Sequence, residues 1–143
     1  MIKNLVWLVG IVFIIIGFLG FIPGNKIVGP GSLFETDAMH NIVHLLSGVI
    51  AIAAVLSGEA MARNYLRIFG VVYVLVAILG FMGSSDSILG ILVTNNADNW
   101  LHAVLAVVFL AVGFIGGKGM KASGSMPTKS NMMGGGMASG SGQ

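Results

Sequence analysis

The chain has 143 residues, of which 56% are hydrophobic and 8% charged, with a formal net charge of +2 and a mean hydropathy of +0.97. A soluble domain carries roughly a quarter of its residues charged to coat its surface, so a water-soluble globule is excluded, and so small and scattered a charge excludes a nucleic-acid partner. The lack of cysteine rules out disulfides, thiolate catalysis and Cys-ligated zinc or iron–sulfur centres.

The first element is an apolar run of 18 residues, Leu5–Ile22, preceded by Lys3. As a helix it is about 27 Å long, close to a hydrocarbon core of about 30 Å. It exceeds the h-region of a signal peptide and no small-x-small cleavage site follows it, so a retained span is expected. Phe21-Ile22-Pro23-Gly24 reads as its stop. The loop that follows, Gly24–Met39, is mildly apolar through Ile27, Val28, Leu33 and Phe34, and is expected to fold back onto the bundle mouth. Thr36 or Asp37 is the expected N-cap of the next helix.

The second run, Ile42–Leu56, opens with His40-Asn41-Ile42-Val43-His44, and a short link near Gly58–Asn64 leads to the third, Leu66–Met82. Arg67 is the only charge in any of the runs. A second long, mildly apolar loop, Gly83–Asp98, ends at Thr94 or Asn95 as N-cap, and the fourth run, Trp100–Ile115, opens with Asp98-Asn99-Trp100-Leu101-His102. Beyond Gly117 the chain is Gly, Ser, Met and Lys with one Pro, a composition without apolar periodicity. The predicted organisation is therefore a transmembrane domain over 1–117, with spans at about 4–22, 39–57, 65–83 and 98–117, and a disordered tail over 118–143. Thioethers are soft Cu(I) ligands, but Met120, Met126, Met132, Met133 and Met137 in such a tail read as low complexity.

Charge fixes an expected orientation. Lys3, Arg63, Arg67, Lys118, Lys121 and Lys129 flank one side of the four runs, whereas Lys26 lies opposite with Glu35, Asp37, Asp86 and Asp98. The positive-inside rule then puts both termini in the cytoplasm and both long loops outside. Trp7 and Tyr65 become inner interfacial anchors and Trp100 an outer one.

The runs also repeat. A shift of 60 residues carries Gly10, Phe13, Gly17 and Gly20 onto Gly70, Tyr73, Ala77 and Gly80, and a shift of 58 carries Thr36, Asn41 and His44 onto Thr94, Asn99 and His102. Two spans per repeat give copies of the same orientation, hence two parallel helical hairpins about a pseudo-twofold axis along the membrane normal. Gly10, Gly17, Gly20, Gly48, Gly70, Ala77, Gly80 and Ala106 are the expected close-packing positions, because small residues let helix backbones approach in lipid. The predicted fold class is an all-α integral membrane protein, a four-helix bundle with N-in/C-in topology.

Asn41 with His44, and Asn99 with His102, stand three residues apart, so each pair shares a helix face. Polar groups in a span seek a partner, a cavity or a ligand. With His40 and Asp98 beside them they form the candidate polar motif. The first reading is structural: interhelical hydrogen bonds brace the outer mouth, at about 0.6 kcal/mol each. The second is a metal or haem site on His44 and His102, with His40 and Asp37 as further candidates and Glu35 and Asp98 near in sequence. The third is a small-solute channel or transporter, which four spans would support only as an oligomer. Catalysis is not expected: Ser47 lies one turn from His44 with no orienting carboxylate at that depth. The expected partners are the lipid bilayer and a second copy or another membrane protein, with no cofactor on the first reading.

The segments His40–Val49, which reads His-Asn-Ile-Val-His-Leu-Leu-Ser-Gly-Val, and Asn95–His102, which reads Asn-Asn-Ala-Asp-Asn-Trp-Leu-His, with Gly20–Gly24 ending the first run, resemble a known family. It is the small bacterial four-span membrane proteins grouped as domain of unknown function 4383. The resemblance covers about residues 1–117. It implies a fold and a bacterial inner-membrane location, and brings no established activity.

Overall fold

The computed structural model describes residues 1–83 and 87–116. The tail expected over 118–143, with its methionines, and Asp86 lie outside the described residues. Four helices make up most of what is described: α1 (Ile2–Leu19), α2 (Ala38–Leu56), α3 (Glu59–Met82) and α4 (Asn96–Ile115). Each is long and apolar enough to cross a membrane. In lipid every backbone polar group must be satisfied internally, and an apolar run does that only as a helix.

Local chemistry sets the helix ends. α1 stops at Leu19 with Gly20 as C-cap, ahead of Pro23. Asp37, rather than Thr36, caps α2 by accepting the His40 N–H at 2.8 Å. Asn95, rather than Thr94, caps α4 in a capping box closed by Asp98. α3 begins at Glu59, six residues before the expected boundary of 65. There Gly58, at φ 117°, turns the chain directly out of α2, and Glu59 pairs with Arg63 one turn on at 3.2 Å. The second long loop carries a feature that apolar periodicity did not signal, a two-residue antiparallel hairpin of β1 (Ser87–Ile88) and β2 (Leu92–Val93). Its tight turn holds Leu89 at φ 54° and Gly90 at φ 69°.

α1 packs most extensively on α2 and α3 on α4, and α3 also touches α1 and α2. Small residues make the first two contacts close. A Cβ on Gly10 would lie 3.1 Å from the Gly48 carbonyl oxygen, and one on Gly70 would lie 2.7 Å from Leu110. Gly17 meets Leu45 and the Asn41 backbone. Ala77 and Ala106 are buried. At Gly20 a Cβ would overlap the Asn41 carboxamide, and at Gly80 it would overlap that of Asn99. In both places the absent side chain would occupy the line to the carboxamide oxygen, so a glycine Cα–H points at that oxygen, the geometry of a weak C–H···O bond.

Val6, Phe13, Val55, Leu66 and Phe109 form the buried centre, while Ile11, Ile15, Leu46, Val49, Ile68, Leu75 and Val107 project outward. Both long loops fold back onto one end of the bundle, burying Val28 and Thr36 from the first, and Ile88 and Thr94 from the second. Trp7 and Trp100 are exposed. Tyr65, expected at an interface from its place beside the charged link, is instead a core residue. It is 3% exposed, and its hydroxyl donates to the Ser47 carbonyl across α2 and α3. The early start of α3 is the reason, since it moves Tyr65 from the helix entrance to its second turn, facing inward.

Alanine at Gly20 or Gly80 should therefore overpack the helix pair and destabilise the protein by about 1–3 kcal/mol. Thermal unfolding in detergent measures it, with Gly20→Ala combined with Asn41→Ala as the check. The double variant should recover part of the loss, whereas additive losses would show that the two residues do not touch.

Candidate functional site

The polar residues gather at the loop end of the bundle. α2 presents His40, Asn41 and His44 over its first two turns, and α4 presents Asp98, Asn99 and His102. His40, Asn41, Asp98, Asn99 and His102 are all at most 4% exposed. The other helix of each hairpin provides an aromatic shelf. Phe13 of α1 stacks on His44 with centroids 5.7 Å apart and planes 29° apart. Tyr73 of α3 stacks on His102 at 5.3 Å and 19°. The two shelves meet edge to face at 6.0 Å.

Three imidazoles converge between these shelves. The His40 ring centroid lies 4.6 Å from that of His44 and 5.9 Å from that of His102. One ring nitrogen from each of the three can be chosen so that all lie within 4.8 Å of one another. His40 Nδ1 is 2.8 Å from the Val93 carbonyl oxygen. A carbonyl only accepts, so Nδ1–H is the donor, and in the neutral imidazole the lone pair is then on Nε2. The Nδ1 atoms of His44 and His102 are buried without a hydrogen-bond partner.

Small apolar cavities flank this cluster. One of about 80 Å³ lies beside α2, α3 and the β-hairpin, and includes Ser47, Phe69, Val76 and Ile88 in its wall. The other, about 100 Å³, lies beside α1, α4 and the first loop, and includes Ile16, Phe34, Leu105 and Asp98. His44, Tyr73 and His102 line both. Neither approaches the roughly 300–1,000 Å³ of cofactor-sized sites, so a haem between His44 and His102 does not fit this arrangement. Asp37, a candidate ligand from its position in the sequence, stands outside the cluster because its carboxylate is the α2 cap.

Hydrogen bonds tie each loop to the opposite hairpin. Asp98 Oδ2 on α4 accepts the Glu35 N–H of the first loop at 2.9 Å, together with the Asn95 N–H at 3.0 Å. The Asn95 carboxamide donates to the Leu33 carbonyl of that loop at 3.0 Å. In the other direction, His40 on α2 donates to Val93 of the second loop. The cross-bundle bonding expected of the Asn/His pairs is thus made by their neighbours, His40, Asp98 and Asn95. The carboxamide oxygens of Asn41 and Asn99 face glycines and have no conventional partner. A 58-residue shift carries His40 onto Asp98 and Glu35 onto Val93, so the crossed bonds occupy matching positions with donor and acceptor exchanged.

His40 is the residue whose weight the sequence pattern understated. Its four-residue spacing from His44 was legible as one helix face. Symmetry directs attention to His44 and His102 instead, and His40 has an aspartate as its counterpart. Tyr73 carried no signal beyond its alignment with Phe13.

Four apolar helices closed at one end by two long loops define a small multi-pass membrane protein. The chain belongs to the family described as Domain of unknown function (DUF4383), which matches residues 3–115. No curated protein and no solved structure matches it.

Asp98 is the acceptor for two backbone donors, so its loss should be felt in both loops. Asp98→Ala leaves the Glu35 and Asn95 N–H groups without their acceptor, at about 1–3 kcal/mol for each group that stays dry. Asp98→Asn keeps an acceptor oxygen and should cost less. Amide hydrogen exchange at Glu35 and Asn95 reads this directly: it should quicken in both variants, most in Asp98→Ala, and unchanged exchange would contradict the contact.

Proposed function

We propose that the protein is a structural or accessory component of the bacterial inner membrane, built from two parallel hairpin repeats that are locked crosswise at their outer mouth. The reciprocal ties between each loop and the opposite hairpin carry this reading. They join His40 to Val93 and Asp98 to Glu35. Such ties hold the loops over the bundle mouth and oppose separation of the hairpins. The pseudo-twofold reading draws support from three matched contacts: Gly20 with Asn41 and Gly80 with Asn99, Phe13 with His44 and Tyr73 with His102, and the Asp37 and Asn95 caps. The basic residues at the opposite end favour cytoplasmic termini. An accessory role gives the apolar outer faces two counterparts, lipid and either a second copy or another membrane protein.

Because the chain has no cysteine, single substitutions report topology cleanly. Leu33→Cys on the first loop should react with a membrane-impermeant maleimide added to spheroplasts. Ala60→Cys, exposed in the first turn of α3, should react only after permeabilisation. Labelling of both from the same side would reject the N-in/C-in arrangement.

Role is tested separately by reconstitution. Proteoliposomes of the wild type should pass Na⁺, K⁺ and H⁺ no faster than protein-free vesicles. A flux that Asp98→Ala or His102→Gln alters would replace the accessory reading with a transport one.

A further inference from the structure

We infer that His40, His44 and His102 form a binding site for a divalent transition-metal ion of the zinc class, clasping the two hairpins together. The inference stands on ring positions and is independent of the accessory role.

Three imidazoles brought together in an apolar interior need a reason. As hydrogen-bonding groups they are poorly served. Among the described residues, only His40 has a partner for a ring nitrogen; the buried Nδ1 atoms of His44 and His102 have none and are left desolvated and unpaired. As ligands they are well arranged. One ring nitrogen from each of the three already lies within 4.8 Å of the others. Tetrahedral Zn–N bonds of 2.0–2.1 Å require a separation of roughly 3.3 Å, a closure within reach of side-chain rotation.

His40 also has the outer-shell arrangement typical of a metal-bound histidine. Its Nδ1–H is held by a backbone carbonyl, which fixes the tautomer and turns the Nε2 lone pair away from that carbonyl. Phe13 and Tyr73 hold the other two rings flat against them.

The donor set selects the ion. Three imidazoles without thiolate or carboxylate suit Zn²⁺, Co²⁺, Ni²⁺ or Cu²⁺, and do not suit Mg²⁺ or Ca²⁺, which take oxygen ligands. Neutral ligands leave the charge of the ion uncancelled. Asp98 meets that need, since it lines the same cavity as His44 and His102 while its own oxygen is held by backbone N–H groups. Three protein ligands leave a fourth position for water or a small ligand. Two ligands come from the first hairpin and one from the second, so an ion here cross-links the halves.

The test uses the full-length protein purified in detergent, with Zn²⁺ or Co²⁺ alone as probe. One ion should bind per chain and raise the unfolding temperature, because a ligand held only by the folded state stabilises it. With Co²⁺, the visible absorption of a four-coordinate site should appear. His40→Gln, His44→Gln and His102→Gln should each weaken binding at least about 100-fold, above the 10–100-fold typical of losing an outer-shell partner. Asp37→Asn should leave it unchanged.

X-ray absorption on the zinc-loaded wild type keeps the inference testable if a variant does not fold. Three imidazole nitrogens at about 2.0 Å are expected. A folded wild type that takes up no stoichiometric ion would overturn the site. So would a first shell without imidazole, or a loss of binding in Asp37→Asn with all three glutamine variants unaffected.

Discussion

A carboxamide oxygen seated against a glycine on the neighbouring helix, once in each hairpin, is the contact from which the rest of the geometry follows. In lipid, apolar side chains gain little by leaving their solvent for one another, so helices associate through close backbone approach and polar contacts. Asn41 against Gly20 and Asn99 against Gly80 supply both. Each fixes the axial register of its helix pair. One turn further on, that register brings His44 beneath Phe13 and His102 beneath Tyr73. A one-residue slip would rotate both histidines out of the interior.

Within each hairpin the register is set by small residues, but between hairpins it is set by the loops. The contacts joining the two halves through the helices are fewer than those within each half. The polar ties at the loop end compensate, and they are reciprocal: each loop is gripped by the helix that begins the opposite span. Burial gives those bonds their weight. His40 and Asp98 are each 3% exposed, so water does not compete for their partners.

The halves differ where it matters chemically. At positions 58 residues apart, the first hairpin has His40 and the second has Asp98. Both keep the same mechanical task of holding the opposite loop. The difference brings a third imidazole from α2 and a carboxylate from α4 to the loop end of the bundle. A strictly symmetric pair would offer either four histidines or two histidines with two carboxylates. Divergence at this one position yields a three-nitrogen site with a carboxylate beside it.

How much of this was readable in the chain follows from the range of each interaction. Four apolar spans, an N-cap at one of two adjacent residues (Thr36 or Asp37, Thr94 or Asn95) and the small-residue stripes are properties of consecutive residues. Hydropathy, Gly and Pro positions and N-cap chemistry act within a turn or two, so the sequence by itself determined them. The pairing of Asn41 with Gly20, the burial of Tyr65 and the bond from Asp98 to Glu35 link residues 18 or more positions apart in chain or in different hairpins. No periodicity encodes such meetings. The gathering of His102 with His40 and His44 is of that kind. Which polar side chains come together depends on what faces them across the bundle, and only the packed tertiary structure decides that.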